Sequence, residues 1–386
     1  MAKSYLSEHV ANLKPSGIRK FFEIAATMKE VISLGIGEPD FNSPQAIIEA
    51  GIQSLKQNET HYTSNRGLMP LRQALCDHLE RLYGVQYSPE KEVVFTVGGS
   101  EALNAACAAI LDPGDEVILP TPCFVSYQGV ISIAGGVSVE VPSRMENNFV
   151  PDPDELENAI TPKTKAILLN FPCNPTGAIA DRDTLIAIGR IAEKHDLVVI
   201  SDEIYDRLVY GVEHVCFSSL PGMRERTILI GGFSKDYAMT GWRIGFACAP
   251  EAIMEGIARV HQYIIMTAPT MAQYGALEAL KSCESDVQRM VKEYDRRRQL
   301  IVQGLNYIGL PTFEPRGAFY AFPKVDGTGM NDEEFAERLL HEKHVAVVPG
   351  SAFGPGGEGF VRCSYATAFD QLEEALDRID QFVKSL

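Results

Sequence analysis

The middle of the chain shows the clearest pattern, in which short apolar runs alternate with segments of helical composition. Runs rich in Val, Ile and Leu, bounded by Gly, Pro and Asp, predict buried strands. The predicted strands lie at 93–97, 116–119, 165–170, 197–200 and 227–230, and two of the helices between them at 101–111 and 181–195. Strands that alternate with helices form parallel βαβ units. This part therefore predicts a three-layer α/β domain with a mainly parallel sheet.

The C-terminal part orders its elements differently. It predicts a long polar helix at 284–307, a strand at 318–322, a helix at 332–343, and strands at 345–349 and 359–365 before a closing helix. Mixed order of this kind is typical of a smaller α+β domain.

These patterns divide the 386 residues into three parts. Residues 45–283 form the large domain and residues 284–386 the small one, since a chain of this length is expected to hold two cores. Residues 1–44 lack an independent core. We expect this segment to pack with the small domain, which is then built from both termini.

Composition and charge exclude several classes of protein. Hydrophobic residues make up 45% of the chain, which excludes a disordered or fibrous protein, and the net charge of −16 disfavours binding to nucleic acid. No apolar run approaches the roughly 18 residues of a membrane helix. The N-terminus also lacks the apolar centre of a secretory signal. We therefore expect a soluble cytoplasmic protein with neither a membrane nor a nucleic acid as partner.

The eight cysteines are scattered singly along the chain, with no C-x-x-C spacing. This distribution predicts neither a disulfide framework nor a zinc site, and no metal is expected. We interpret the cysteines as small buried hydrophobic side chains.

Candidate chemistry follows the predicted strands, because ligands of a parallel α/β sheet bind beyond the carboxyl ends of its strands. Strand 93–97 leads into Gly99, Ser100 and Glu101 at the start of a helix, where free N–H groups and the positive end of the dipole suit a phosphate. Arg243 is a candidate second phosphate ligand. A helix cap for Ser100 and a surface ion pair for Arg243 are the structural alternatives.

Three other strand ends carry residues suited to one cofactor. Lys235, with its pKa lowered by cationic neighbours, could form an imine with a carbonyl cofactor. Asp202 could keep a pyridine nitrogen protonated, so that the ring accepts electrons from a carbanion. Asn174 and Tyr205 could donate hydrogen bonds to a phenolic ring oxygen. A turn, a helix cap and simple packing are the alternatives for Asn174, Asp202 and Tyr205, respectively. These alternatives do not explain why such residues follow successive strands of the same predicted sheet.

Two further positions concern a substrate. Gly37 belongs to a glycine-rich turn at 35–41, which can bring backbone N–H groups close to a carboxylate. Arg362 lies in an apolar strand, where an unpaired guanidinium is costly, so it needs a carboxylate partner. An aspartate, a glutamate and a substrate all remain open as that partner.

Together these segments resemble the class I/II aminotransferases, which are pyridoxal-phosphate enzymes of fold type I. The resemblance spans the chain through SLGIGEPDF (33–41), HYTSNRGLMPLR (61–72), TVGGSEAL (96–103), NPTG (174–177), SDEIY (201–205), SKDYAMTGWRIG (234–245), GAFYAFP (317–323) and FVRCSYA (360–366). It implies that Lys235 binds the cofactor covalently and then moves a proton. It also implies that Asp202 pairs with the ring nitrogen, and that Asn174 and Tyr205 contact the ring oxygen.

The resemblance implies further cofactor and substrate contacts. The cofactor phosphate is expected at Gly99, Ser100, Glu101 and Arg243, with Ser234 among the cofactor contacts and Phe124 stacked on the ring. Gly37, Asn174 and Arg362 are expected to bind the substrate, and Tyr62 to reach the phosphate across the interface of a homodimer.

The sequence departs from its relatives in places. Gly232 stands where several relatives have a polar group, and Phe124 where the aspartate-specific branch has Trp. A second arginine for dicarboxylate substrates has no assured counterpart. Ser16 and Arg19 are candidate readers of the substrate side chain, with a structural role as the alternative.

These features predict an aminotransferase that moves an amino group between an L-amino acid and a 2-oxo acid by a ping-pong reaction. A C–S β-lyase on the same fold shares the removal of the α-proton and is the first alternative. A non-catalytic module that senses the cofactor is a remote second one.

Overall fold

The computed structural model describes residues 5, 6, 8–11, 13, 28 and 30–386. Its helices are α1 (Glu8–Ala11), α2 (Gln45–Lys56), α3 (Met69–Tyr83), α4 (Gly98–Ile110), α5 (Ser126–Ile133), α6 (Pro153–Asn158), α7 (Arg182–Lys194), α8 (Glu251–Ile264), α9 (Thr270–Ser282), α10 (Glu284–Ile308), α11 (Asp332–Lys343) and α12 (Phe369–Val383). Its strands are β1 (Ile32–Ser33), β2 (Val93–Thr96), β3 (Glu116–Thr121), β4 (Val137–Pro142), β5 (Thr164–Asn170), β6 (Val198–Asp202), β7 (Thr227–Gly232), β8 (Gly245–Cys248), β9 (Tyr320–Ala321), β10 (Val345–Ala346), β11 (Val348–Pro349) and β12 (Val361–Ser364).

A seven-stranded sheet lies at the centre of the described part, in the order β2-β8-β7-β6-β5-β3-β4. Its neighbouring strands run parallel, except that β8 is antiparallel to both β2 and β7. Strands buried on both faces are expected to be apolar, and residues 93–95 of β2, 166–169 of β5 and 228–230 of β7 fit this rule. The prediction of a mainly parallel sheet is confirmed.

Helices cover both faces of this sheet. Val94 packs in a core with residues of α4 and α8, whereas its neighbour Phe95 packs in another core with residues of α3 and α9. Side chains of a strand alternate between the two faces of its sheet, so these two cores lie on opposite sides. The domain therefore has the three layers that the sequence predicts.

The C-terminal elements form a second region with two small sheets. Strands β11, β12 and β9 are antiparallel, and β1 pairs in parallel with β10. Ile32 and Leu34 share a core with residues of α10 and α12. Residues 32–34 thus pack with the C-terminal elements as expected, while the division at residues 44 and 283 stays a prediction.

One predicted strand needs correction. The run at 345–349 reads as a single strand in the sequence, but it is divided into β10, which pairs with β1, and β11, which pairs with β12. The two halves belong to different sheets because the chain turns from one partner to the other at Val347.

The described helices include none with the length and apolar character needed to cross a bilayer. All eight cysteines are buried and unpaired. Their interpretation as buried hydrophobic side chains is thereby confirmed.

A close approach of two backbones fixes the start of α4. A Cβ atom added to Gly245 of β8 would lie 2.5 Å from the carbonyl carbon of Gly98 and from the nitrogen of Gly99. Only a glycine at position 245 lets the first turn of α4 pack directly on β8.

We predict that Gly245→Ala lowers the free energy of unfolding by about 1–3 kcal/mol, the usual cost of overpacking. Gly241→Ala is the matched control, since a Cβ atom there meets no atom within 4 Å. Urea unfolding of both variants measures the difference. Equal stability of the two variants would contradict this role of Gly245.

Candidate active site

A cavity of about 970 Å³ lies at the carboxyl ends of β5, β6 and β7. Asn170 ends β5, Asp202 ends β6, and Lys235 follows β7. The cavity brings together most of the site residues predicted from the sequence, namely Gly37, Gly99, Ser100, Phe124, Asn174, Asp202, Tyr205, Ser234, Lys235, Arg243 and Arg362. The sheet edge therefore collects residues that are far apart in the sequence.

Lys235 points into this cavity with an amine that is partly desolvated. Its Nζ donates a hydrogen bond to the carbonyl of Gly37 at 2.6 Å. Burial, together with the guanidinium groups of Arg362 and Arg243, lowers the pKa of the Lys235 amine to about 8. A larger fraction of the amine is thus neutral near pH 7 than for an ordinary lysine, and a neutral amine is a nucleophile and a base.

Asp202 is a carboxylate buried without an ion-pair partner among the described residues. Its Oδ2 accepts a hydrogen bond from the Tyr127 hydroxyl at 2.8 Å, and its Oδ1 accepts one from the Ile204 N–H at 3.1 Å. Burial raises the pKa of this carboxyl to about 6, although both hydrogen bonds act in the opposite direction. A cationic ring nitrogen beside Asp202 would stabilise the charged form of this buried carboxylate, so the site fits a pyridinium group.

Asn170 connects two of the predicted site residues. Its Nδ2 donates to the carbonyl of Asp202 at 2.9 Å, and its Oδ1 accepts from the N–H of Asn174 at 3.0 Å. This side chain therefore holds the end of β6 and the turn after β5 in one arrangement. The amide of Asn174 in turn accepts a hydrogen bond from Arg362 Nη1 at 2.8 Å.

Arg362 has unused hydrogen-bonding capacity in a buried position. Its Nη2 donates to the carbonyl of Gly35 at 2.6 Å, whereas its Nε is buried without a partner. Its guanidinium lies 4.5 Å from the ring centroid of Tyr320. The ion pairs of the described residues include no aspartate or glutamate partner for it. Of the three expected partners, an aspartate and a glutamate are thus not found among the described residues, and the substrate carboxylate stays a prediction.

The first turn of α4 forms a candidate phosphate site beside Arg243. Gly98 has a φ of +71°, and a Cβ atom there would lie 2.9 Å from Arg243 Nη2. The absent side chain lets the guanidinium approach the turn, where backbone N–H groups lack partners within the helix. Gly232 is explained by packing, because a Cβ atom there would lie 2.8 Å from Ile204 Cδ1.

Two predicted residues lie outside the cavity lining. The side chain of Tyr62 is 78% exposed on the surface. The carboxylate of Glu101 points away from the turn toward His261, with Oε1 and Nδ1 at 2.6 Å, and accepts a hydrogen bond from the Val97 N–H. Only the backbone of Glu101 is therefore available to a phosphate. Ser16 and Arg19 lie outside the described residues.

Sequence reasoning missed three residues of this site. Asn170 is a polar strand end, so the rule that found Asp202 could have found it. Tyr127 comes three residues after Phe124, at helical spacing, but no signal connects it with Asp202. Tyr320 lines the cavity, and its hydroxyl lies 2.8 Å from that of Tyr205. A Cβ atom on Gly37 would overlap that same hydroxyl of Tyr320.

The chain is similar to known proteins over most of its length. Residues 29–379 match the family model "Aminotransferase class I and II", and the chain belongs to this family. Enzymes of this family depend on pyridoxal phosphate and transfer amino groups. The protein is thus a pyridoxal-phosphate-dependent aminotransferase, as the sequence predicts.

Three relatives are similar to the chain over nearly its whole length. The chain is 52% identical to "Putative aminotransferase YugH" of Bacillus subtilis and 48% identical to "Aspartate aminotransferase" of Pyrococcus abyssi, with 98% of both chains covered in each case. The crystal structure of an aromatic aminotransferase from Pyrococcus horikoshii superposes with a TM-score of 0.91 at 46% identity, covering 95% of this chain and 99% of that one.

The buried carboxylate of Asp202 yields a prediction about the cofactor-free protein. Its pKa of about 6 in the folded chain exceeds its usual value of 3.8. Protonation here stabilises the fold fully below pH 3.8, and this contribution is lost as the pH rises through 6. Between pH 5 and pH 8 the loss amounts to about 1 kcal/mol.

Asp202→Asn cannot titrate, so its stability relative to the wild type is expected to increase by about 1 kcal/mol from pH 5 to pH 8. Urea unfolding without cofactor measures this change, with Asp377→Asn on the exposed face of α12 as the control. A constant difference across this pH range would show that Asp202 is not electrostatically strained.

Proposed function

We propose that the cavity performs transamination with Lys235, Asp202 and Arg362 as its three principal groups. The observation that carries this proposal is that these three side chains meet at one edge of the sheet. Among the described residues, none of the three forms an ion pair. Lys235 is a partly neutral amine, Asp202 is a carboxylate without a cation, and Arg362 is a cation without a carboxylate. A carbonyl, a ring nitrogen and a substrate carboxylate would meet these needs together.

When bound, pyridoxal phosphate supplies an electron sink for the bonding electrons released at the substrate α-carbon. Asp202 maintains that sink by holding a proton on the ring nitrogen. The hydrogen bonds from Tyr127 and the Ile204 N–H fix the direction of the carboxylate. In this proposal Tyr205 and Asn174 would hydrogen-bond the phenolic oxygen of the ring, and Phe124 would cover one ring face; all three line the cavity.

The phosphate is assigned to the first turn of α4. The backbone of Gly99, Ser100 and Glu101 and the hydroxyl of Ser100 offer donors, and the positive end of the helix dipole favours an anion. Arg243 adds a full positive charge on one side of the turn. Ser234 lines the same cavity next to Lys235 and adds a hydroxyl.

Lys235 has two successive tasks in this proposal. With the cofactor bound, the neutral amine of Lys235 would be the group that holds its carbonyl carbon. The same amine, once free, would accept the proton from the α-carbon of the substrate. A pKa near 8 suits both tasks, because the amine can accept and return a proton near neutral pH. Arg362 and the backbone at Gly37 orient the α-carboxylate, so that the α-proton faces Lys235.

The substrates are an L-amino acid and a 2-oxo acid in a ping-pong exchange. Two of the relatives are named as an aspartate aminotransferase and as an aromatic aminotransferase, and we propose aspartate and aromatic amino acids as the first donors to test. No observation favours the lyase alternative. The eight unpaired cysteines support a reducing compartment, and we propose the cytoplasm.

We further propose that the protein is a homodimer in which Tyr62 reaches the cofactor phosphate of the partner. A group of exposed apolar side chains lies at the end of α8 and directly after it: Tyr263, Ile264, Ile265 and Met266 are 84%, 54%, 43% and 49% exposed. Asn65 Nδ2 donates to the Met266 carbonyl at 2.6 Å, so this exposed patch adjoins the segment that carries Tyr62. An apolar patch of this kind supports a protein interface.

Activity measurements test the function directly. We expect stoichiometric formation of a 2-oxo acid and glutamate from aspartate or an aromatic amino acid with 2-oxoglutarate. Lys235→Ala is expected to reduce turnover by at least about a thousandfold, because it removes both the attachment point and the base. The exposed Lys281→Ala is the control. Release of pyruvate and ammonia from cystathionine without amino transfer would instead indicate a lyase.

The interface prediction uses two variants with different effects. Ile264→Asp is expected to produce monomers in analytical ultracentrifugation and to weaken cofactor binding, because it places a charge in the apolar patch and separates Tyr62 from the partner. Tyr62→Phe is expected to weaken cofactor binding in an intact dimer. Tyr307→Asp, at an 88% exposed position of α10, should change neither property. A dimeric Ile264→Asp variant would argue against this interface.

A further inference from the structure

A buried imidazole connects the candidate phosphate turn with the segment that carries Tyr62. His261 lies on α8 and has no solvent-exposed surface on its side chain. Its Nδ1 lies 2.6 Å from Glu101 Oε1, and its Nε2 lies 2.8 Å from the backbone carbonyl of Asn65. One side chain thus contacts two regions that are distant in the sequence and that the proposed function assigns to the same ligand group.

Hydrogen-bond chemistry fixes the direction of this chain of contacts. A carbonyl only accepts, so Nε2 must carry the proton that points to Asn65. The short contact between Nδ1 and Glu101 then holds a second proton between the imidazole and the carboxylate. Glu101 uses its other oxygen to accept from the N–H of Val97, directly before α4. The first turn of α4 is therefore connected to Asn65 by an unbroken series of hydrogen bonds.

The residues just before Asn65 in the chain continue this connection to the surface. Asn65 and Thr63 hydrogen-bond the residues that follow α8, through the Met266 carbonyl at 2.6 Å and the Thr267 hydroxyl at 2.6 Å. Tyr62 directly precedes Thr63 in the chain and is exposed. His261 itself lies one helical turn before the exposed apolar residues at the end of α8.

We propose that the His261–Glu101 pair is a positioning element that joins two phosphate-binding parts of one chain. One part is the chain's own turn at the start of α4, and the other is the segment 61–67 that the chain contributes to its partner's site. This inference rests on the proposed homodimer and on the proposed phosphate site. Displacing His261 therefore disturbs the chain's own cofactor site and that of its partner.

Cofactor binding with and without the phosphate group tests the proposal. His261→Phe keeps most of the ring volume and removes both hydrogen bonds. The dissociation constant for pyridoxal 5′-phosphate is expected to increase about tenfold or more, in line with lost hydrogen bonds to charged groups. That for pyridoxal, which lacks the phosphate, should change by less than about twofold. Absorbance titration of the cofactor-free protein measures both constants.

A matched control separates positioning from general destabilisation. His78 is also a buried histidine, but its side chain hydrogen-bonds Arg81 on the same helix and not the residues at the start of α4. His78→Phe should leave the ratio of the two constants at the wild-type value. An equal loss of affinity for both ligands in His261→Phe would overturn the proposal. Should that variant not fold, His261→Gln keeps one donor and allows the same comparison.

Mixed dimers test the contribution to the partner. Lys235→Ala in one chain leaves a single site that can bind the cofactor covalently. His261→Phe is then placed either in the chain that retains Lys235 or in the chain that lost it. Weaker phosphate-dependent binding is expected in both arrangements. A loss confined to the first arrangement would refute the connection to the partner.

The outcome for the wild type keeps this test separate from the proposed function. If the wild-type dimer binds pyridoxal 5′-phosphate at Lys235 and His261→Phe does not alter the phosphate preference, only the positioning role is wrong. If the wild type fails to bind the cofactor at Lys235 or is a monomer, the proposed function itself is wrong.

Discussion

A carboxylate buried without a cation is the constraint on which the proposed site depends. Asp202 ends the central strand β6, where desolvation disfavours its charged form and raises its pKa. The hydrogen bonds from Tyr127 and the Ile204 N–H keep it oriented, but neither donor carries a positive charge. A fold that retains such a group incurs a cost in the free protein, and a ligand with a basic nitrogen removes that cost on binding.

The same logic applies to the other side of the cavity. Arg362 is held by Asn174 and the Gly35 carbonyl, both neutral acceptors, so its positive charge remains available to an anion. Lys235 lines the same cavity, and its amine is kept partly neutral by burial and by the guanidinium groups of Arg362 and Arg243. The parallel sheet makes this possible because it brings the carboxyl ends of β5, β6 and β7 to one edge, although these strands are well separated along the chain.

Much of this arrangement could be predicted from the sequence. Ligands of a parallel α/β sheet bind beyond the carboxyl ends of its strands, so polar residues directly after an apolar run are candidates for a binding site. Lys235, Asp202 and Asn174 were predictable on that ground. The roles of Tyr127 and His261 were not, since each depends on the packing of a helix against the sheet and neither position has a pattern of its own. The direction of the Glu101 side chain was unpredictable for the same reason. The division of residues 345–349 between two sheets likewise depends on partners far away in the sequence.

The ¹⁵N chemical shift of the cofactor's ring nitrogen, measured in the holoenzyme at pH 8, tests the central claim most directly. Opposite an ionised Asp202 that nitrogen is expected to remain protonated in the wild type, and to lose its proton in Asp202→Asn. A ring nitrogen that is already unprotonated in the wild type would contradict the account, because Asp202 would then have no cation to stabilise.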